Sequence, residues 1–194
     1  MMLPEEYQKR RSLPRHLQPP GEPPAEFSYE IREATEDDVP DILALYRHYV
    51  RNSVVTLDEK APSITKFRAR FRHLQKLGYP FRVAVSPQGT LLGYAYVFPF
   101  REKAGFRKTV ESSIYLGPAS LGRGLGSALL GDLIARCAEE GLTEMIAVIA
   151  DSGAEASMAL HQKFGFTESG RMGKVGFKFG RWIGIVMMQK SLRN

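Results

Sequence analysis

Cysteine is almost absent from this chain: Cys137 is the one thiol in 194 residues. A single cysteine closes no internal disulfide, so the fold must rest on packing, and such thiol economy fits a reducing compartment. Long apolar runs are missing as well. None approaches the roughly 20 residues that cross a bilayer, so no membrane span is expected. The opening residues 1–27 hold no apolar stretch of the kind a secretory leader carries. These absences together predict a cytoplasmic protein. Tryptophan also occurs once, as Trp182, and reads as a packing residue. No metal is expected.

What is present describes a soluble domain. Apolar residues make up 43% of the chain and charged residues 25%, and 194 residues suffice for one domain with a full core. The formal charge of +6 admits three partners: nucleic acid, an anionic membrane surface, or a small polyanion. The first 28 residues carry four basic and four acidic side chains, so the excess lies in the folded part. In "SITKFRARFRHLQKL" the basic residues are dense, but Ile64, Phe67, Phe71 and Leu74 recur at helical spacing. Lys66 and Arg70 fall on one face, Arg68 and Arg72 on another. That pattern is an amphipathic helix with solvated flanks, and nucleic-acid binding is not expected.

Residues 1–27 hold half of the twelve prolines and show no hydrophobic period, which predicts an extended, mobile arm before a domain at 28–194. Alternation in "SYEIREAT" predicts a strand. "TEDDVPDILALYRHYV" predicts a helix capped by Thr35, with Pro40 tolerable early and Ile42, Leu45, Tyr46 and Tyr49 as the buried face. After the second helix, "YPFRVAV" and "LLGYAYVFPF" read as hairpin strands around "SPQG". The basic loop "REKAGFRK" and the strand "TVESSIYL" follow, ending at Gly117-Pro118. Then come a helix from the glycine cluster, the buried strand "TEMIAVIAD", the helix "AEASMALHQKFGF" and a last strand "RWIGIVMMQKSL". This order predicts one mixed α/β domain with a largely antiparallel sheet flanked by helices.

The stretch "LGRGLGSALL" puts three glycines in five positions before an apolar helix. Gly122, Gly124 and Gly126 lack the spacing of a dinucleotide fingerprint, and Gly126-Ser127 lacks the lysine of a Walker loop. A short loop entering a helix remains, whose free N–H groups and dipole suit a pyrophosphate, with Arg123 as a nearby cation. A turn that merely lets helix and strand pack closely is the alternative.

With its surroundings, this loop resembles that of the GNAT N-acetyltransferases, where Arg/Gln-x-x-Gly-x-Gly/Ala stands against Leu121 to Gly126. Within that family the chain resembles the phosphinothricin and methionine-sulfoximine acetyltransferase branch. The matching residues are Thr109, Val110, Glu111, Ser113 and Tyr115 on one strand, and Ala156, Ser157, Leu160, His161, Gly165 and Phe166 further on. "KFGRW" at 178–182 and "NSVVTLDEKAP" also match, and the resemblance spans residues 29–193.

The resemblance implies the GNAT fold and acetyl-CoA as co-substrate. It implies a pyrophosphate on the amides of Leu121, Gly122, Arg123, Gly124, Leu125, Gly126 and Ser127. It also implies a pantetheine arm paired with Ile114, Tyr115 and Leu116, at a point where two strands splay. Acetyl transfer needs an amine stripped of its proton, and a buried carboxylate of raised pKa is a suitable base. The strand pattern alone leaves open whether Glu111 faces outward; the resemblance makes it that base, directly or through water. Backbone N–H near Leu116 is the expected oxyanion donor. His161 stands where many members place a tyrosine that protonates the thiolate, and the resemblance gives it the role of acid or substrate holder. Arg101 and Lys103, with Phe106 beside them, form a cationic loop suited to a carboxylate or phosphinate. The expected activity is acetylation of the α-amine of a small amino-acid-like compound by direct attack, with Cys137 in the core. A homodimer is expected with it. A different amine substrate, or a CoA-binding regulator without catalysis, stays open beside it. Four residues depart from what the resemblance implies: Leu121 stands for an Arg or Gln, Ala154 for an asparagine, Leu57 for an aromatic residue and Gly184 for an aspartate.

Overall fold

The computed structural model describes residues 27–193. The expected arm therefore lies, Phe27 aside, outside the described residues. Seven strands form one sheet: β1 (Glu30–Glu33), β2 (Phe81–Val85), β3 (Leu91–Pro99), β4 (Thr109–Leu116), β5 (Glu144–Ala150), β6 (Thr167–Lys178) and β7 (Arg181–Ser191). Four helices cover it: α1 (Val39–Asn52), α2 (Ile64–Lys76), α3 (Leu125–Glu139) and α4 (Glu155–Lys163). Spatial order is β1-β2-β3-β4-β5-β7-β6, and only β4 and β5 run parallel.

Side-chain alternation divides the core into two layers. Phe81, Val83 and Val85 of β2, with Tyr94 and Tyr96 of β3, face Ile42, Leu43 and Tyr46 of α1 and Phe67, Phe71 and Leu74 of α2. Ala84, Ala95 and Val97 face Leu125, Leu129, Leu130 and Leu133 of α3, together with Cys137. Arg82 points to this second side, where its guanidinium meets Asp132 of α3 at 2.6 Å and Glu33 at 2.9 Å. Burial raises the Cys137 thiol to about 12, which removes it as a nucleophile.

Helix starts follow the sequence closely. Thr35 and Asp38 form a capping box around the turn Glu36–Asp38, and Arg32 braces Asp38 at 2.8 Å. Ser63 caps α2 by accepting from Lys66 N at 3.3 Å. The buried face of α1 is turned slightly from the expected one. Leu43 and Val50 are buried, while Leu45 and Tyr49 are only partly so. β6 was not legible beforehand: it is mostly exposed, carries Gly170, Gly173 and Gly176, and shifts register twice against β7. An exposed edge with glycine and no alternation has no periodic signal to read.

Candidate active site

The parallel pair β4–β5 is short. Its register runs from Thr109 opposite Glu144 to Ser112 opposite Ala147, and there it stops, although both strands continue. Beyond that point they part. Gly117 N donates to Leu92 O of β3 at 2.7 Å, so by alternation Ile114 and Leu116 turn their backbone groups to the opposite, splayed side. Leu116 is already served there: the Tyr49 hydroxyl donates to Leu116 O at 2.7 Å and accepts from Leu116 N at 3.4 Å. Ile114 is left as the residue of the splayed segment without a strand partner on that side. The expected oxyanion donor near Leu116 thus faces a phenol that the sequence reading placed in the core.

Two cavities open at this splay. One is a slot lined by Ser112, Ile114, Ala147, Ala154, Ser157 and His161. The second, of about 250 Å³, is lined by Asp58, Arg70, Tyr96, Phe98 and Glu111, among others. Val55, Ser113, Tyr115, Val148 and Ala150 line both, so the two chambers share a wall.

Glu111 faces the second chamber because it lies in phase with Ser113 and Tyr115, on the aromatic side of the sheet. It stands opposite Phe98 in the β3–β4 register. Burial raises its pKa, and the positive charges of Arg101 and Arg70 moderate the rise. His161 is 4% exposed and packs edge-on to Phe166 at 4.9 Å between centroids. Its Nδ1 lies 2.8 Å from Ser157 O, an acceptor, so Nδ1 carries the proton. Burial lowers its pKa, so the ring is neutral and Nε2 presents a lone pair. That Nε2 is buried with no partner among the described residues.

The glycine loop holds two kinds of glycine. Gly122 and Gly124 have φ of +71° and +81° with open space where a side chain would project. They turn the chain into α3, a conformation that L side chains rarely adopt. Gly126 has neither property: a Cβ there would sit 3.3 Å from Leu116 and Leu160, so this glycine serves close packing. The close-packing reading therefore holds at Gly126, while Gly122 and Gly124 set the turn into α3. The first bond of α3 runs from Ala128 N to Gly124 O, which leaves the N–H groups of Leu125, Gly126 and Ser127 at its positive end without a backbone acceptor among the described residues. Arg123 stacks on Phe27 at 4.0 Å, while Lys163 extends from the end of α4 to 3.4 Å from Ser127 Oγ. A second cation thus reaches the loop that Leu121, 56% exposed, leaves without its expected one.

Two other departures have a spatial explanation. A Cβ on Gly184 would fall 2.7 Å from Met172 O and would also collide with the Asp151 carboxylate, which accepts from Gly184 N at 3.1 Å. Leu57 occupies the space above Gly176, where a Cβ would approach its Cδ1 to 2.5 Å. Gly184→Asp is expected to destabilise the fold by about 1–3 kcal/mol through overpacking, read as a lower urea midpoint at unchanged slope. Ala154 lines the slot and offers it no side-chain donor.

Of the expected substrate residues, Arg101 lies flat on Phe100 at 4.1 Å and acts electrostatically on Glu111. Lys103 and Phe106 are exposed at the turn Ala104–Phe106 and do not line the chamber. The residues that do, and that sequence reading missed, are Asp58 and Arg70.

Comparison with known proteins places the chain in a family. A family model for the acetyltransferase (GNAT) domain matches residues 31–187. A phosphinothricin N-acetyltransferase of Alcaligenes faecalis is 43% identical over 162 residues, 84% of this chain and 82% of that protein. An L-methionine sulfoximine/L-methionine sulfone acetyltransferase of Pseudomonas paraeruginosa is 42% identical over 166 residues, 86% of this chain and 96% of that one. Among solved structures, a GNAT superfamily phosphinothricin acetyltransferase from Sinorhizobium meliloti in complex with acetyl-CoA superposes with a TM-score of 0.81. It is 40% identical and covers 84% of this chain and 88% of its own. A sheet that parts after Ser112, a helix entered through two left-handed glycines and a match along most of its length make this chain a member of the GNAT acetyltransferase family.

Proposed function

We propose that this protein acetylates the α-amine of a small amino-acid-like substrate, of the phosphinothricin, methionine sulfoximine or methionine sulfone type, with acetyl-CoA as donor. The observation that carries this reading is the shared wall. The slot at the splay and the chamber holding Glu111 meet across Ser113 and Tyr115, so a donor in one faces an amine in the other.

The residues present fit the donor. Amides at the start of α3, turned inward by Gly122 and Gly124, form an anion cradle, and Lys163 adds charge beside it. Ile114 offers an N–H and a C=O for pairing with an extended arm. Acetyl-CoA, when bound, supplies an activated acyl group as a thioester.

An α-ammonium must lose a proton before it attacks, and Glu111 is the acceptor, directly or through one water. Its half-buried position makes it a stronger base than an exposed carboxylate. His161 lines the slot; neutral with a lone pair on Nε2, it accepts a hydrogen bond from the co-substrate there, and in this form it has no proton to give. Direct attack is the route, since Cys137 is buried with its thiol held protonated: the C–N bond forms as the thioester C–S bond breaks, and CoA leaves as a thiolate that takes its proton from solvent.

A thiol-release assay with acetyl-CoA and a panel of phosphinothricin, methionine sulfone, methionine sulfoximine, spermidine and a peptide N-terminus tests the reading. Turnover confined to the first three supports it; turnover of spermidine or the peptide alone overturns it. CoA binding with no turnover would favour a regulator instead.

The enzyme acts as a cytoplasmic homodimer in this reading. The β6–β7 hairpin exposes the large apolar side chains Val175, Phe177, Phe179 and Trp182, and this patch is the surface that a second copy would cover. Trp182, expected to pack, meets Phe177 at 5.4 Å and is otherwise 60% exposed. A second copy covering this patch would give a dimer mass in light scattering, and Trp182→Asp is expected to return the monomer mass.

A further inference from the structure

Arg70 is a charged residue of the amine chamber whose donors find no partner among the described residues. Its guanidinium lies 5.5 Å from the Tyr96 ring centroid and 5.2 Å from that of Phe98. Among the described residues it enters no ion pair, although Asp58 and Glu111 line the same chamber. Its neighbours on α2 and beneath the sheet are employed differently. Arg72 forks onto Glu36 at 2.5 and 2.6 Å, and Arg82 is split between Glu33 and Asp132. Cation–π attraction to two rings holds a guanidinium without spending its N–H groups on them.

The placement is fixed by packing on both sides. Phe67 and Phe71, buried on α2, set the helix against the sheet and direct Arg70 to the aromatic rows of β3. In that sheet Phe98 stands opposite Glu111 and Tyr96 opposite Ser113. Directly paired residues have Cβ atoms about 4.5–5.5 Å apart. A guanidinium resting on Phe98 and Tyr96 is therefore next to the carboxylate of Glu111. The amine and carboxylate of an α-amino acid are separated by one carbon, so groups that bind both must be neighbours of this kind. The chamber is charged accordingly, positive at Arg70 and negative at Asp58 and Glu111, the complement of a zwitterion.

We propose that Arg70 is a specificity-determining residue: its guanidinium edge takes the α-carboxylate of the substrate and so presents the α-amine to Glu111. The inference rests on the amino-acid reading above and deepens it. Its consequence is selection for amino acids over simple amines of the same side chain, since an amine without a carboxylate leaves the fork unpaired.

The test pairs each enzyme variant with a substrate cut at the group in question. Methionine sulfone and 3-(methylsulfonyl)propan-1-amine, the same molecule without its carboxylate, are assayed by thiol release with the wild type, Arg70→Met, Arg70→Lys and Arg101→Met. Arg70→Met is expected to lower kcat/KM for methionine sulfone by about 10- to 100-fold, mainly through KM, as for a lost charge-assisted pair. The loss on the carboxylate-free amine is expected to stay within about threefold, with KM for acetyl-CoA unchanged. Arg70→Lys, which keeps the charge but not the fork, is expected to recover part of the loss. Equal losses on both substrates, or coupling of the carboxylate to Arg101 instead, overturn the inference while the acetyltransferase reading stands. Should the wild type acetylate neither compound, that reading fails, and calorimetric binding of methionine sulfone to wild type and Arg70→Met then decides; equal affinity overturns the role of Arg70.

Discussion

Glu111→Gln is expected to lower kcat/KM for the amine by about 10²- to 10³-fold, the size of a lost general base. Glutamine keeps the volume of the side chain on β4 and leaves the aromatic layer of Tyr96, Phe98 and Tyr115 undisturbed. What it removes is a proton acceptor. The pH dependence gives the sharper signature. A base works only when ionised, and burial raises the pKa of Glu111 above 4.5. Wild-type kcat/KM should therefore fall as pH drops through that raised value, on a limb displaced upward from an exposed glutamate, and the variant should lack the limb. The sign for stability is the opposite of the sign for activity. A carboxyl whose folded pKa is raised binds its proton more tightly folded than unfolded, so at neutral pH its charge opposes folding. Glutamine removes that opposition, and the variant should melt no lower than the wild type. A variant with unchanged turnover would assign the base to another group.

Lys178→Met is expected to cost about 3 kcal/mol of stability and to raise KM for the amine about tenfold or more. Lys178 is only 2% exposed, and its ammonium donates to Ser53 O at 2.7 Å and to Thr56 O at 2.6 Å. These carbonyls belong to the segment that carries Val55, Thr56, Leu57 and Asp58 along the amine chamber. The far side of the same segment is held by Tyr46, whose hydroxyl meets Thr56 Oγ1 at 3.1 Å and donates to Asp58 at 2.5 Å. Methionine matches the aliphatic stem but leaves two carbonyls without their donor, so the segment loosens on one side. For a domain of this size each kcal/mol moves the midpoint by about 2–4 °C, so a melt about 6–12 °C lower is the expected reading. A loosened amine wall with an intact donor cradle predicts unchanged KM for acetyl-CoA. An equal rise in both constants would mean that Lys178 supports the fold alone and does not position the segment.

How much of this was legible depends on whether the signal was local. β4 and α3 could be read because alternation and helical spacing repeat within a few residues, and the glycine loop because three glycines before a helix demand a backbone reason. Glu111 was visible as a charge in an apolar strand, but its facing was not, since either phase of a strand satisfies the pattern. Arg70 stayed hidden among the basic residues of an amphipathic helix. Its difference from Arg72 lies in what each meets across the fold: two rings of β3 in one case, Glu36 in the other. Tyr49 reads as one more apolar position of α1, and nothing nearby in sequence points to its bond with Leu116, 67 residues away. β6 gave no period because most of it is exposed.

The close approaches at Gly184 and Gly176 bear on how this chain can change. Each glycine shares its space with a side chain from elsewhere, Asp151 in one pair and Leu57 in the other. Neither partner is then free to be replaced alone. Enlarging the glycine first drives two groups into one volume, while shrinking the partner first opens a void. A larger residue at 184 needs both a change at 151 and a shift of the β6 backbone, since Met172 O would still lie 2.7 Å from its Cβ. Positions 151 and 184 are therefore coupled, and a substitution at either is expected to cost more alone than alongside a compensating change at the other.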